Sequence, residues 1–241
     1  MLRALETSDE HAQASGLMHR VYLPPGWKAS ERYPAVMMVH GRAGNSQSMW
    51  IFSRALQEIK PVVLSPEAPL ADPLGGYSWW MVGDAPREKR SSSYAVSEDD
   101  LQLGTQKLTA FIASLPELYG VDLSRLYAFG FSQGAAIVST LALREPELFK
   151  GVAMLAGFIP RIVLQGGWDL GPHELPPFFI AHGTKDLVIP FTRAEEARDT
   201  LGRLGAKVSF HSDDVGHKIG SAGIKALQRW CAEVIGGPFT A

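Results

Sequence analysis

The feature that most constrains the fold of this chain is the pentapeptide Gly-Phe-Ser-Gln-Gly at residues 130–134, read together with its surroundings. The short apolar run 126–129 before it has the composition of a strand, and the longer run 135–143 after it has that of a helix. In a Gly-x-Ser-x-Gly sequence between a strand and a helix, the serine occupies a sharp turn that lifts its hydroxyl above the sheet edge. Side chains on either side of that turn would collide with the strand and the helix, so glycine is required there. The pattern therefore predicts an accessible, reactive Ser132.

A serine hydroxyl is a poor nucleophile unless a base accepts its proton and a third group orients that base. Asp186 follows the buried, strand-like run 178–182, and His217 follows the alternating run 207–211. All three side chains come just past the C-terminal ends of strands, where open α/β sheets build their sites. We predict that Ser132 is the nucleophile, His217 the base and Asp186 the acid that orients the base.

A glycine-containing loop upstream belongs to the same predicted edge of the sheet. The apolar run 35–40 ends in this loop at 41–45, where the backbone is able to approach a bound molecule closely. The N–H group of Arg42 lies in the loop, and the N–H group of Gln133 lies at the start of the predicted helix. Two such backbone donors hold a developing oxyanion, so we assign the oxyanion hole to Arg42 and Gln133.

Three other aspartates compete with Asp186 for the role of the acid. Asp169 lies far from any predicted strand end, whereas Asp213 and Asp214 lie too near His217 in sequence to reach the back of its ring comfortably. The alternative role for Asp186 itself is that of a loop-capping residue, which aspartate often has. We favour Asp186 because it alone follows a strand between the nucleophile and the base.

Four further histidines have neighbours that raise the question of a function. His40 and His182 each precede a glycine at a predicted strand end, and we expect both to hydrogen-bond neighbouring loops rather than take part in chemistry. His173 and His211 have acidic neighbours, but neither has the spacing of a metal motif such as His-Glu-x-x-His. We expect no metal site.

Predicted strands and helices alternate along the chain, and several strands are apolar throughout, as in a parallel sheet covered on both faces. We predict an α/β fold with a mostly parallel sheet and helices on both faces, in a single domain spanning 1–241. The strands are predicted at 19–23, 35–40, 61–65, 126–131, 151–155, 178–182 and 207–211, and the helices at 46–59, 97–115, 133–144, 192–204 and 221–234.

Two irregular stretches, 66–96 and 159–177, interrupt this alternation. Long irregular loops in a compact domain are usually functional or disordered, and we interpret 66–96 as a pocket wall or a lid. Its adjacent tryptophans, Trp79 and Trp80, are predicted to lie half-exposed around the substrate, with core packing as the alternative. Its charged run 87–90 is expected to be a solvated turn.

Composition excludes several classes of protein. A hydrophobic fraction of 46% and a charged fraction of 20% are ordinary for a soluble globular protein. The formal net charge of −2 gives no basic surplus for nucleic acid or an acidic membrane. Cys231 is the single cysteine, so no intrachain disulfide forms, and we expect it to be a buried small side chain. With no apolar run of membrane-spanning length and no signal-like N-terminus, we expect a cytoplasmic protein without integral membrane contact.

Taken together, these motifs resemble those of the phospholipase/carboxylesterase family of α/β-hydrolases, which includes acyl-protein thioesterases. The resemblance covers roughly residues 18 to 235. Two positions depart from the usual family pattern: Arg42 replaces a hydrophobic residue and Asn45 replaces an aspartate. The motifs that carry the resemblance are His-Gly-Arg-Ala-Gly-Asn at 40–45, Tyr-Ser-Trp-Trp at 77–80, Gly-Phe-Ser-Gln-Gly at 130–134, the run 182–190 and Gly-His at 216–217.

The resemblance implies the α/β-hydrolase fold and a serine hydrolase that acts on small-molecule esters or thioesters without a cofactor. It also implies that Trp79 and Trp80 lie near the substrate. An amidase, a peptidase or a lactone hydrolase on the same scaffold stays open, as does a homodimer. A non-catalytic binding protein is the alternative of a different class, although such a protein is expected to have lost one of the three site residues.

Overall fold

The computed structural model of the chain describes residues 2–3, 5–6, 9–82, 96–165 and 174–236. Among them, eight strands form one sheet in the order β1-β2-β4-β3-β7-β8-β9-β10, and β5 and β6 form a separate hairpin. Strands β3, β4 and β7 to β10 are parallel, while β2 runs antiparallel to both of its neighbours. The strands are β1 (Leu5–Glu6), β2 (His19–Tyr22), β3 (Tyr33–Val39), β4 (Val62–Pro66), β5 (Leu70–Ala71), β6 (Tyr77–Ser78), β7 (Val121–Phe131), β8 (Val152–Leu155), β9 (Phe178–Gly183) and β10 (Val208–Asp213).

Helices cover both faces of this sheet, which confirms the predicted architecture. Helices α2, α3 and α5 pack on one face, and α6 packs on the other together with a 3₁₀ helix. Within the described part of the chain, no helix combines the length and the apolar composition needed to cross a membrane. The helices are α1 (Asp9–Ser15), the 3₁₀ helix (Trp50–Leu56), α2 (Glu98–Tyr119), α3 (Gln133–Arg144), α4 (Arg161–Gln165), α5 (Phe191–Arg203) and α6 (Ser221–Val234).

The side chains of β3 show how one apolar strand supplies two cores. Successive side chains of a strand point to opposite faces of the sheet. Ala35, Met37 and Val39 therefore enter the core beneath α2 and α3, whereas Val36 and Met38 enter the core beneath the 3₁₀ helix and α6. Because both faces are covered, the strand is apolar without alternation, which is the pattern on which the parallel sheet was predicted.

The helix predicted at 46–59 is wrong in type and length, since only Trp50–Leu56 is helical and it is a 3₁₀ helix. The side chain of Asn45 accepts hydrogen bonds from the N–H groups of Gln47 and Ser48, and Glu67 accepts from both the N–H and the hydroxyl of Ser46. These side-chain bonds hold the first residues in a turn that competes with helix formation.

Helix α2 continues beyond its predicted end at residue 115 and carries Pro116 inside it. A proline removes one backbone donor, but the last turn is stabilised elsewhere, because the hydroxyl of Tyr119 lies 2.6 Å from Nε2 of the buried His19. Gly120 then ends the helix at φ 65°, a left-handed conformation that favours glycine. Elements β1, α1, β5, β6 and α4 were not predicted, and each has seven residues or fewer.

The topology brings four segments to one edge of the sheet. The loops that follow β3, β7, β9 and β10 all leave from carboxyl ends of parallel strands, and these ends share one edge. Ser132 directly follows the central strand β7, while Asp186 and His217 lie in the loops after β9 and β10. All sequence-predicted site residues in these loops therefore converge from separate parts of the chain.

Candidate active site

Ser132 sits in a strained turn between β7 and α3. Its backbone angles are φ 53° and ψ −115°, a conformation that non-glycine residues rarely adopt. A Cβ added to Gly130 would collide with the backbone of Gly134, and one added to Gly134 would collide with the carbonyl of Val39. The two glycines of the motif therefore allow the strand and the helix to pack closely around the serine, as the sequence predicts.

The structure brings Ser132, His217 and Asp186 into one hydrogen-bonded series. Nε2 of His217 lies 3.1 Å from the hydroxyl oxygen of Ser132, and Nδ1 of the same ring lies 2.7 Å from Oδ2 of Asp186. With Nδ1 protonated against the carboxylate, Nε2 is free to accept the serine proton. Asp186 lies 31 positions from His217 in sequence and Ser132 lies 85 positions from it, so it is the fold that brings the three residues together.

The Asp186 side chain is buried and fully satisfied by hydrogen bonds. Its Oδ1 accepts from the N–H groups of Val188 and Ile189 at 2.8 and 2.9 Å, and Nε2 of His182 lies 3.3 Å from Oδ2. Burial by itself would raise the pKa of Asp186, but the bonds from His182, His217 and Ile189 outweigh it and lower the pKa well below the ordinary aspartate value. The carboxylate therefore stays charged and fixed against the histidine.

The competing aspartates have other partners. Oδ2 of Asp213 accepts two N–H groups at the start of α6, at 3.1 and 3.0 Å, so this residue caps the helix. Asp214 forms an exposed ion pair with Lys185 at 2.8 Å. Asp169 lies outside the described residues. Neither Asp213 nor Asp214 makes a hydrogen bond with His217 among the described contacts.

The two predicted oxyanion donors flank Ser132. Gln133 begins α3, and Arg42 lies in the loop after β3. Gly41, the residue before Arg42, packs so close to the serine turn that a Cβ added to it would lie 3.1 Å from Cβ of Ser132. In the described part of the chain, the backbone N–H groups of Arg42 and Gln133 donate to no other group. Both donors are thus available to an oxygen atom placed above the serine.

A buried carboxylate that the sequence analysis missed holds the Arg42 loop in place. Oδ2 of Asp72 accepts the hydroxyl of Ser78 at 2.6 Å and Nε of Arg42 at 3.2 Å, and the N–H of Ala43 donates to the Ser78 oxygen at 3.1 Å. Burial opposes the charge of Asp72, but the bonds from Ser78, Leu74 and Arg42 outweigh it and lower its pKa. In the sequence, Asp72 is marked only by a charge opposite in sign to that of Arg42. No spacing rule predicts that these two residues pair.

Trp79 and Trp80 are buried in the core, so the prediction that they lie half-exposed around a pocket is wrong. The indole N–H of Trp79 donates to the carbonyl of His40 at 2.9 Å. The side-chain amide of Gln133 accepts from the N–H of Trp79 at 3.1 Å and donates to the carbonyl of Trp80 at 3.0 Å. Trp79 and Trp80 therefore connect the serine turn to the end of β3 through hydrogen bonds inside the core. Neither tryptophan lines the cavity beside Ser132.

A cavity of about 530 Å³ opens beside Ser132 and His217. Leu74, at the tip of the β5–β6 hairpin, belongs to its wall, so part of the 66–96 stretch contributes to the pocket. Arg42 and Lys218 are the cationic side chains among the described lining residues. The apolar part of the wall includes Met49, Phe52, Leu74, Phe131, Val188 and Ile219.

His40, His182 and the cysteine are placed as expected from the sequence. His40 lies 2.7 Å from the carbonyl of Gly41 through Nδ1 and accepts the N–H of Ala68 through Nε2, and burial lowers its pKa. His182 contacts the carbonyl of Ile189 at 2.9 Å, although its approach to Asp186 was not predicted. Cys231 is buried, and burial raises the pKa of its thiol.

Among the described residues, no group of three or more His, Cys, Asp or Glu side chains is placed to hold a metal ion. His211 instead lies 3.3 Å from Asp213. The predicted solvated turn at 87–90 and His173 fall outside the described residues.

The chain is similar to known proteins over most of its length. Residues 27–235 match the protein family described as Phospholipase/Carboxylesterase. Acyl-protein thioesterase 1 of Yarrowia lipolytica is 28% identical over 218 residues, which cover 83% of this chain and 91% of that protein.

Solved structures show the same fold. The Bacillus cereus carboxylesterase superposes with a TM-score of 0.76 at 21% identity, covering 95% of this chain and 100% of the other. Esterase PE8 superposes with a TM-score of 0.75 at 22% identity, covering 89% and 97%. The fold is therefore the α/β-hydrolase fold, as the motifs implied.

Proposed function

Because the chain belongs to the phospholipase/carboxylesterase family, a family of ester and thioester hydrolases with the α/β-hydrolase fold, we propose that it is a serine hydrolase working through an acyl-enzyme. The observation that carries the proposal is the hydrogen-bonded series from Ser132 through His217 to Asp186, with distances of 3.1 and 2.7 Å. This series ends at a strained serine beside a cavity, which is the arrangement that nucleophilic catalysis requires.

In the first half of the reaction, the Ser132 oxygen attacks the carbonyl carbon of the substrate while Nε2 of His217 takes the hydroxyl proton. The carbonyl oxygen becomes an oxyanion, held by the N–H groups of Arg42 and Gln133. Asp186 holds the ring in the required tautomer and stabilises the positive charge that forms on it. When the bond between the carbonyl carbon and the leaving group breaks, His217 gives its proton to the departing oxygen or sulfur.

In the second half, a water molecule takes the place of the leaving group. His217 removes a proton from the water as it attacks the acyl-enzyme, and the same two N–H groups hold the second oxyanion. Collapse of this intermediate breaks the bond to the Ser132 oxygen, which regains its proton from His217. The acid product leaves, and no cofactor or net electron transfer is needed.

Esters and thioesters are the proposed substrates because the family and its relatives act on them. The family is described by phospholipase and carboxylesterase activity, and a relative is named an acyl-protein thioesterase. The apolar wall of the cavity suits the acyl part of such a molecule. Amides, peptides and lactones are tested as competing substrates, since the same residues can attack them. The cytoplasmic location, the homodimer and the single domain stay predictions.

A fluorophosphonate probe tests the proposal, because it reacts covalently with an activated serine. We expect the protein to be labelled at Ser132, and the Ser132→Ala variant to remain folded, unlabelled and slower in kcat by on the order of 10⁴- to 10⁶-fold. Circular dichroism and a urea unfolding curve check that the variant is folded.

Labelling at another residue, or activity of Ser132→Ala within about tenfold of the wild type, would contradict the assignment. A wild-type protein that neither reacts with the probe nor hydrolyses any ester, thioester or amide would instead support the non-catalytic binding protein. Para-nitrophenyl esters and acyl thioesters of increasing chain length then rank the acyl groups.

A further inference from the structure

Two cationic side chains interrupt the apolar wall of the cavity beside Ser132. Arg42 reaches it from the loop after β3, and Lys218 from the loop after β10. The sheet order places β3 and β10 on opposite sides of β7, which carries Ser132 at its end. The described lining residues include no aspartate or glutamate. A bound molecule therefore meets apolar surface and two cations, but no anionic side chain.

Arg42 is held in position while most of its donors stay available. Its Nε donates to Asp72, and the exposed fraction of its side chain is 30%, whereas that of the Asp72 side chain is 0%. The two terminal nitrogens of the Arg42 guanidinium donate to no described residue. A guanidinium fixed at Nε presents its remaining N–H groups as a planar fork, a geometry that suits carboxylate and phosphate oxygens.

The Asp72 carboxylate does not compete for a ligand in the cavity. Its oxygens accept from Arg42, from the Ser78 hydroxyl and from the N–H of Leu74, and it is buried behind the loop. It orients the arginine and stabilises its charge within the protein. An anion that approaches from the cavity therefore meets the donors of Arg42 and not the carboxylate.

Lys218 adds an unbalanced charge next to the base. It follows His217 directly, its side chain is exposed, and it forms no ion pair among the described residues. The nearby Lys185 is by contrast paired with Asp214 at 2.8 Å and does not line the cavity. The cavity therefore carries a local positive charge, although the whole chain has a formal net charge of −2.

We infer that the natural substrate carries an anionic group, a carboxylate or a phosphate, which Arg42 and Lys218 bind while the apolar wall binds the rest of its acyl or alcohol part. This inference rests on the proposed function and specifies its substrate class.

Matched pairs of esters test the inference. The carboxylate pair is para-nitrophenyl hydrogen suberate and the neutral para-nitrophenyl octanoate, and the phosphate pair is monobutyryl glycerol phosphate and monobutyrylglycerol. We expect kcat/KM for the anionic member of at least one pair to exceed that of the neutral member by about tenfold. The pair with the larger ratio identifies the carboxylate or the phosphate as the preferred group. Added salt is expected to reduce the ratio, because it screens the exposed charge.

Variants of the two cationic residues test which side chain causes the preference for the anionic ester. Lys218→Met is expected to lower the ratio about threefold, as for an exposed charge, while the matched control Lys185→Met leaves it unchanged. Arg42→Met is expected to bring the ratio close to one, and Arg42→Lys to give an intermediate value because it keeps the charge but loses the fork. The neutral ester in each pair reports any general damage to the site.

Two results would overturn the inference while the proposed function stands. One is hydrolysis of the neutral esters at least as fast as the anionic ones, together with labelling of Ser132. The other is an anionic preference that neither Arg42→Met nor Lys218→Met reduces. Failure of all four esters and of the fluorophosphonate reaction would overturn the proposed function and this inference with it.

Discussion

Among single residues, Ser132 has a strained backbone conformation that costs local stability and places its hydroxyl in the site. A non-glycine residue in such a conformation costs on the order of 1 to 3 kcal/mol. Backbone hydrogen bonds on both sides hold this conformation. The N–H of Ser132 donates to the carbonyl of Leu155 at 3.0 Å, and the carbonyl of Ser132 accepts from the N–H of Ala136 at 3.2 Å. The strain therefore persists, and the hydroxyl is held toward His217.

Asp186 is the residue whose assignment can be tested most sharply, because two aspartates nearby serve as controls. Asp186→Asn is expected to lower kcat by on the order of 10⁴-fold, since the amide no longer favours the required tautomer of His217. Asp213→Asn and Asp214→Asn are expected to change kcat by less than about tenfold, because the first caps α6 and the second pairs with Lys185. Steady-state kinetics on one ester compares the three. An equal loss in either control would reassign the acid.

At the scale of elements, the β5–β6 hairpin positions the loop that carries Arg42. Backbone bonds join Gly44 to Tyr77 in both directions, at 3.1 and 2.7 Å. The side-chain bonds of Asp72 and Ser78 add to them, so the hairpin and the loop are held together at several points. The placement of one oxyanion donor therefore depends on residues that never touch the substrate carbonyl.

Asp72→Asn is expected to lower kcat by about tenfold to hundredfold with a smaller change in KM for a neutral ester. The reason is that the amide cannot accept all the bonds of the carboxylate, so the Arg42 N–H is displaced from the developing oxyanion. The control is Asp122→Asn, which removes a carboxylate paired with Arg125 at 2.7 Å on the surface. Stopped-flow and steady-state kinetics separate kcat from KM. If Asp72→Asn raises KM alone, the hairpin binds substrate and does not position the donor.

Trp79 directly follows the hairpin, and its hydrogen bonds link Gln133 in the serine turn to His40 at the end of β3. Trp79→Ala is expected to lower the free energy of unfolding by about 3 to 5 kcal/mol, because it removes a fully buried side chain. Trp79→Phe is expected to cost less, since the ring is largely kept and the bond to the His40 carbonyl is lost. Urea unfolding measures both. If the Trp79→Ala variant keeps its stability but changes its preference among acyl groups, Trp79 contacts the substrate and its assignment to the core is wrong.

For the whole molecule, the pH dependence of activity reflects the ionisation of His217 and Asp186 in the folded protein. We expect kcat/KM to rise with pH in a single limb, because His217 must be neutral to accept the serine proton. Asp186 adds no second limb, since its pKa is lowered and it stays ionised throughout. The profile is measured on a neutral ester so that substrate charge does not titrate. Two rising limbs would show that a second group must lose a proton.

All strands of the large sheet except β1, and the helices α2, α3, α5 and α6, could be predicted from sequence because each follows from the pattern of neighbouring residues. Helices α3 and α6 begin and end where their apolar patterns predict. The order of Ser132, Asp186 and His217 past successive strand ends was enough to predict that they meet. The last turn of α2 and the turn before the 3₁₀ helix were not predicted, because His19 and Glu67 stabilise them through contacts between distant segments. The bonds from Gln47 and Ser48 to Asn45 are local, and the sequence analysis missed this turn signal.

Local sequence patterns were sufficient to predict the alternation of strands and helices, the turn at Ser132 and the two residues that hydrogen-bond in series with it. These features depend on periodicity, on glycines and on chain order, which are properties of short segments. The burial of Trp79 in the core, the contact of Asp72 with the Arg42 loop, and the position of Arg42 and Lys218 beside one cavity became apparent in the folded structure. Burial and charge pairing depend on which distant segments pack together, and no local sequence pattern specifies that packing.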